Sequence, residues 1–542
     1  MTVRREIAQT VYLGGRVWPG TGPTPEPEPT ALAEGGGRVL AIGTDEQVRE
    51  LAGPGTTVVD LQGHRVIPGL IDGHLHAARA GLTWTSELHW EGIPGVATAL
   101  ASIADAAGRA APGEWIRAVG GWHPCQFAEA REPTRAELDR VAGDHPVYLQ
   151  ALYEVAILNS AAIRASGLDQ VTGDLPGGHV ERDPGTGQPT GRVHGMGAFT
   201  FCQQAAGTTG REQQRRSTAA MIADLQASGL TGAVDVGGFG MAPESYDPLF
   251  DLWRLGELSM RMRLFLSAVH AGQEYAEVDA WLRHAHSRFG DEMLQITGAG
   301  EVVHFGCHDF EGLESFVVSD ESAAELVRIT RRVAERGWPL NIHAVCDESV
   351  SRILDCWESV NSEVPVTGLR FSVSHGDRIS ARNISRLRAL GAGVTLDDRQ
   401  VFKAAASVAA WGKDALTRVP PVADLLAAGI PVAAGTDATR ASSFSPWLSL
   451  WWLTGGTSLD GVSRRDAEHL ATRAQALGWY TAGSAWLSFE EADRGHLRPG
   501  ARADLAVLSE DYFTVPADRI PLIRSELTVV GGRVVHSAGT LA

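Results

Sequence analysis

The sequence predicts an α/β chain: a (β/α)8 TIM-like barrel, a small β-sandwich domain formed by both chain ends, and an insertion after barrel strand 1. Three observations carry this. Short β-rich runs separated by Gly, Pro and Glu clusters stand at both ends of the chain. Between them, short apolar runs alternate with helical stretches. One stretch, about residues 83–208, breaks that alternation.

Taken in order, residues 1–64 and 490–542 are assigned to the small β domain and 65–489 to the barrel. The N-terminal part offers Thr10-Val-Tyr-Leu, Arg38-Val-Leu-Ala-Ile and Thr57-Val-Val-Asp-Leu. The C-terminal part offers Ala503-Asp-Leu-Ala-Val-Leu and Leu527-Thr-Val-Val-Gly-Gly-Arg-Val-Val. Barrel strands are expected at Arg65-Val-Ile, Gly232-Ala-Val-Asp-Val, Met262-Arg-Leu-Phe-Leu, Leu294-Gln-Ile-Thr, Leu340-Asn-Ile-His, Arg370-Phe-Ser-Val-Ser, Gly393-Val-Thr-Leu and Pro431-Val-Ala-Ala. Of the intervening helices, Glu321 to Arg336 is the clearest, with apolar residues on a helical repeat and Gly337 placed to end it. The insertion holds turn clusters such as Leu175-Pro-Gly-Gly and Asp183-Pro-Gly-Thr-Gly, and loops at that face of a barrel accept extensions.

With 542 residues, 44% of them hydrophobic, the chain can bury a large core, and its length calls for one big domain plus a smaller one. A net charge of -18 argues against a nucleic-acid partner, which is held through surplus Lys and Arg. Five cysteines with no short-spaced pair point to reduced thiols. No signal-peptide or membrane-spanning run is present, so a cytoplasmic protein without a membrane partner is expected. The composition also allows a homo-oligomer.

The strongest local signal is Val66-Ile-Pro-Gly-Leu-Ile-Asp-Gly-His-Leu-His76. Side chains at i and i+2 of a strand share a face, so His74 and His76 can point at one ion. Such a pair alone fits two buried structural histidines better than metal ligands. However, His343, His375 and Asp437 each follow a predicted strand, and the C-terminal ends of barrel strands converge on one face. Neutral imidazoles with a carboxylate suit zinc or another divalent metal with an open position.

These residues also carry a family resemblance. Pro68-Gly-Leu-Ile-Asp-Gly-His-Leu-His, Ile342-His-Ala-Val-Cys-Asp, Ser374-His-Gly-Asp-Arg-Ile and Ala434-Gly-Thr-Asp resemble the ordered metal motifs of the amidohydrolase superfamily. The amidohydrolase family 3 branch, which includes N-substituted formamide deformylases, fits over nearly the whole chain, from Glu114-Trp-Ile and Leu158-Asn-Ser-Ala-Ala to Leu497-Arg-Pro-Gly-Ala-Arg-Ala-Asp. The resemblance implies hydrolysis of an amide-like C–N bond in a small molecule, with one or two divalent ions, zinc first among them. Asp437 would be the base that takes a proton from water and then the acid that protonates the leaving group. His375 would be either a metal ligand or a neutral donor to the oxyanion.

The chain departs from the family pattern in two places. Two-metal relatives often bridge their ions with a carboxylated lysine at the end of the fourth strand. Here that region reads Ile296-Thr-Gly-Ala-Gly-Glu-Val-Val-His304, so Glu301 is the candidate bridge, against a solvated glutamate beside a single ion. Glu154 stands where the branch often has a histidine facing the substrate. Trp122 and His123, after Gly120-Gly121, and His304 are the other candidates for substrate binding, with His308 beside His304 a further residue that could line the pocket. Asp347 and Asp377 are candidates to orient His343 and His375. A metal-dependent lyase or decarboxylase is the alternative, with Arg192, Arg399 or Arg440 as the required carboxylate clamp. A non-catalytic barrel scaffold is disfavoured because all five core ligand positions are present.

Overall fold

The computed structural model describes residues 6–20 and 22–541. Eight parallel strands follow one another in chain order: β1 (Leu70–Leu75), β2 (Leu230–Asp235), β3 (Arg261–Leu266), β4 (Leu294–Ala299), β5 (Asn341–Ala344), β6 (Ser372–His375), β7 (Gly393–Leu396) and β8 (Val432–Ala434). Nearly every residue in them is buried, the pattern of strands covered on both faces. β1 to β4 pair as one sheet and β5 to β8 as another. At the first seam Ala299 bridges Leu340 in parallel, and its N–H donates to Pro339 O at 3.0 Å. At the second, the Asp437 N–H donates to His74 O at 2.8 Å and the His76 N–H to Ala438 O at 3.2 Å.

Helices connect the strands and pack on them through one large apolar cluster that includes Leu70, Leu264, Ile342 and Val394 with Leu326, Ile353, Leu387 and Trp447. The helix Asp320–Glu335 shows why the sequence signal was clear. Ser319 caps its N-terminus by accepting from Ser322 N–H, apolar residues fall on one face, and Gly337 follows at φ 68°, a left-handed conformation that costs glycine least.

The first predicted barrel strand is corrected. Arg65–Pro68 pairs antiparallel with Leu505–Leu508, in a five-stranded sheet that also holds Arg16–Val17, Ser525–Val530 and Arg533–Ser537. The run 65–75 is buried in both strands, Arg65, Asp72 and His74 included, so periodicity does not show that Gly69 divides it into two strands belonging to different sheets. A four-stranded sheet of Thr10–Leu13, Ala31–Gly35, Arg38–Gly43 and Thr57–Asp60 shares a core with the five-stranded one through Tyr12, Leu32, Val66, Leu505 and Val529. Asp504 ties this end of the chain to β3. It accepts from Arg261 at 2.9 and 3.0 Å, from Arg494 at 3.1 Å and from Gly531 N–H at 2.8 Å.

The stretch 83–208 is more ordered than its turn clusters suggest. It forms its own five-stranded sheet, in the order His179–Arg182, Pro189–His194, Val155–Leu158, Val147–Ala151 and Ile116–Val119. Two apolar clusters flank this sheet, one around Trp90, Trp122 and Leu149 and one around Tyr148, Leu158 and Phe199.

Candidate metal centre

Close backbone packing at the β8/β1 seam sets the site. A Cβ on Gly73 would meet Ala434 O at 2.9 Å and Ser484 Oγ at 2.7 Å, and one on Gly435 would meet His74 N at 2.3 Å, so both positions require glycine. Asp72, fully buried in β1, accepts from the N–H groups of His74 and Thr436 and from the Thr436 hydroxyl, stitching the two strand ends together. Burial pushes its carboxyl up to about 6. His375 and Asp437 both hold positive φ, 76° and 54°, which L-residues rarely adopt and which strand ends support only where the surrounding fold enforces it.

Six buried side chains meet at these strand ends. His74 Nε2 lies 3.3 Å from Glu301 Oε2 and 3.4 Å from Asp437 Oδ1, and His76 Nε2 lies 3.0 Å from Asp437 Oδ1 and 3.6 Å from Glu301 Oε1. Glu301 Oε2 is also 3.8 Å from His343 Nδ1 and 3.9 Å from His375 Nε2, so this one carboxylate reaches all four imidazoles. His74–His76–Asp437 and Glu301–His308–His343 are two ligand-spaced groups that share no residue. His74 Nε2, His375 Nε2 and Glu301 Oε2 are buried without a hydrogen-bond partner among the described residues, the condition a bound cation relieves.

The electrostatics agree. Burial opposes charge on His74, yet the Asp437 and Glu301 carboxylates hold its imidazole well above its usual range. Burial likewise works against the Glu301 and Asp437 charges, but the neighbouring imidazoles, His74 foremost, hold both carboxyls well below theirs. His375 goes the other way: burial, with the charges of Arg399 and His343, pushes it well down.

Each imidazole is turned by a partner on its far side. His74 Nδ1 meets Ser374 Oγ at 2.9 Å, His76 Nδ1 meets Gly237 O at 2.7 Å, and His375 Nδ1 bonds Asp397. His343 Nε2 faces Phe310 O at 2.6 Å and Asp309 Oδ1 at 3.2 Å. Asp347 and Asp377 are corrected as orienting groups. Asp347 accepts from Ser380 N–H and Asn383, and Asp377 pairs with Arg399 and Gln400, because both side chains turn into the helix-bearing loops and away from the imidazoles. Asp309 and Asp397 take those places; each lies in a different strand-end loop from the histidine it serves, so sequence proximity does not reveal them.

The cluster floors a cavity of about 680 Å³, lined by His76, Glu301, His343, His375 and Asp437 together with Arg79, Tyr153, Phe239, His308, Phe310, Glu311 and Arg399. None of the four residues expected to bind substrate lines it. Trp122 is fully buried between Trp90 and Phe127, with ring centroids 4.7 and 5.6 Å away. His123 and Glu154 satisfy each other at 3.0 Å, and His123 also caps a short helical turn. His304 bonds Glu274 at 3.1 Å. The hairpin turn after Val147–Ala151, with Leu152 at φ 48°, aims Tyr153 at the cavity in place of Glu154. His308, stacked on His343 at 3.7 Å, follows His304 by one turn of chain. No periodic signal marks either residue.

The profile described as the amidohydrolase family matches residues 57–536. The N-substituted formamide deformylase of Arthrobacter pascens is 25% identical over 505 residues, covering 89% of this chain and 90% of that one. An uncharacterized metal-dependent hydrolase from Pyrococcus furiosus superposes with a TM-score of 0.67 at 20% identity, covering 93% of this chain and 100% of that one. Atrazine chlorohydrolase TrzN from Arthrobacter aurescens TC1, solved complexed with zinc, gives a TM-score of 0.55 at 14% identity, with 97% and 95% covered. Among the described residues no helix is long and apolar enough to cross a membrane.

Proposed function

The chain belongs to the amidohydrolase family, and from that premise we propose that it is a metal-dependent hydrolase that cleaves an amide-like C–N bond of a small molecule. The observation that carries the reading is the convergence of His74, His76, Glu301, His343, His375 and Asp437, with three orphaned buried atoms among them, at the floor of one cavity. In this reading the eight parallel strands close into a (β/α)8 barrel, supported by the hydrogen bonds at both seams. The two terminal sheets pack as a sandwich over their shared core.

His74, His76 and Asp437 would hold one ion and Glu301, His343 and His308 a second, with Glu301 reaching both groups in place of a lysine. When bound, divalent metal, for which zinc fits the nitrogen and oxygen donors, supplies a water acidified to near neutrality and polarises the scissile carbonyl. Asp437 takes the proton from water as oxygen adds to the carbonyl carbon. It returns that proton to nitrogen as the C–N bond breaks, so the products are an acid and an amine. Asp397 accepts from His375 Nδ1, which leaves a lone pair at Nε2 and favours a ligand role over a donor role for His375. The N-substituted formamide deformylase relative makes N-substituted amides and formamides the first substrates to try.

The test pairs metal analysis with a hydrolysis screen over amides, formamides, carbamates and lactams, repeated on Asp437→Asn. Bound transition metal, turnover of at least one amide, and loss of that turnover in a folded Asp437→Asn variant are expected. A chain that binds no metal on titration, or a variant with unchanged turnover, would refute the reading.

A further inference from the structure

The three arginines singled out as carboxylate clamps fare differently in the fold. Arg399 lines the cavity but is neutralised, 3.0 Å from Asp377 and 3.2 Å from Asp397. Arg192 pairs with Glu132 and Glu181, away from the cavity. Arg440 has no carboxylate at ion-pair distance among the described residues; its polar contact is Gln203 Oε1 at 3.4 Å. A fourth arginine, Arg79, stands one helical turn beyond His76 and lines the cavity. Its Nη2 is buried without a hydrogen-bond partner, and no carboxylate among the described residues pairs with it.

Arg79 and Arg440 lie close enough to feel each other. Burial and the Arg79 charge both lower the Arg440 pKa, and both guanidinium charges act on the Tyr153 hydroxyl, which also lines the cavity. Both arginines are half-buried, and guanidinium charges that act on each other repel, so an anion beside the cavity-lining Arg79 relieves the arrangement. Glu87 and Asp235, whose charges reach these arginines, lie beyond ion-pair distance. Elsewhere in the cavity Phe239 and Phe310 stack at 5.5 Å as an apolar wall.

From the cavity-lining Arg79 guanidinium, with its unpartnered Nη2, and the Tyr153 side chain that lines the same cavity, we propose that this chain holds an anion subsite and that its substrates are amides bearing a carboxylate and an apolar body, the chemistry of an N-acylated amino acid. Arg79 is the specificity-determining residue, since its planar fork matches a carboxylate. A dianionic phosphate fits less well, because Glu301, Asp437 and Glu311 line the same cavity. The substrate class rests on the hydrolase reading above, whereas the subsite itself does not.

The experiment uses the full-length, zinc-loaded chain and one matched pair, N-acetyl-DL-phenylalanine and N-acetylphenethylamine, which differ only by the carboxylate. We expect kcat/KM to favour the carboxylate member roughly tenfold or more, the range of a charge-assisted hydrogen bond. Arg79→Met should collapse that ratio toward unity through KM, and Arg79→Lys should restore part of it. Calorimetric titration with 3-phenylpropanoate, on metal-free and zinc-loaded protein, should show binding weakened about tenfold or more by Arg79→Met in both forms. Hydrolysis of both members with a ratio near unity, or 3-phenylpropanoate binding indifferent to Arg79→Met, overturns the subsite and leaves the hydrolase standing. Arg79-dependent binding with no hydrolysis of either member overturns the substrate class and supports the subsite, whereas conversion of N-acetylphenylalanine to N-acetylphenethylamine and carbon dioxide overturns the hydrolytic reading and supports the subsite.

Discussion

Asp309→Asn tests how the fold prepares His343 for metal. The Asp309 side chain is fully buried. Its Oδ2 accepts from Cys346 N–H at 2.9 Å and shares the Val345 N–H at 3.1 Å, while Oδ1 faces His343 Nε2 at 3.2 Å. Because Phe310 O, 2.6 Å from the same Nε2, can only accept, Nε2 carries the proton and Nδ1 is left as a lone pair facing Glu301. An asparagine must keep its oxygen on the two backbone N–H groups, so its NH2 is directed at an Nε2 that also donates. Either the ring turns or the tautomer reverses, and both remove the lone pair from the centre. Losing a partner of this kind costs about 10- to 100-fold in metal affinity, or about 1.4 to 2.8 kcal/mol. A competition titration with a chromophoric zinc chelator, run beside near-ultraviolet circular dichroism to confirm folding, reads the change. Affinity within about twofold of the parent, in a folded variant, would refute the reasoning.

Glu301→Gln should lower bound metal from two ions per chain to one, by elemental analysis after dialysis, because this side chain reaches both donor groups; retention of two ions would remove it as the bridge. Trp122→Ala should cost about 3–5 kcal/mol in denaturant unfolding, since the indole is fully buried against Trp90 and Phe127, and should leave KM unchanged. A stable variant with a raised KM would return Trp122 to the cavity. For acid stability, burial raises the Glu490 carboxyl, but the Arg494 and Arg263 guanidinium groups outweigh it and hold the group at about 2, below its usual 4.5. A depressed folded pKa contributes stability above the unfolded value that is lost as pH falls, so Glu490→Gln should flatten the decline in unfolding free energy between about pH 4.5 and 2. An unchanged slope would assign that decline to other carboxylates.

Much of this architecture is legible before folding, because it rests on signals that are local in the chain. Seven of the eight parallel strands coincide with short apolar runs, and the helix after Ser319 announces its own cap and stop. The histidines and Asp437 stand in motifs tied to strand ends, and strand ends in parallel α/β proteins converge, so their meeting could be anticipated from spacing and residue type. The lack of a lysine between Ile296 and His304 is also visible in the sequence, and it leaves Glu301 as the bridging candidate.

What only the tertiary structure decided lies where contacts join distant segments. Gly69 splits one buried run between two sheets, a division made by pairing with Leu505–Leu508 more than 400 residues away. The partners of the imidazoles, Asp309, Asp397 and Ser374, come from loops and strands other than those of their histidines, so neither spacing nor neighbourhood identifies them. Trp122 and Tyr153 show the same limit: whether an aromatic side chain faces a core or a cavity depends on how the turn that carries it docks, and a turn's direction is not written in residue type. The sequence by itself therefore marked six candidate donors, though not His308, because ligand chemistry belongs to single residues. The fold alone decided their protonation, their support and the cation left open for a substrate, because those depend on what is brought close in space.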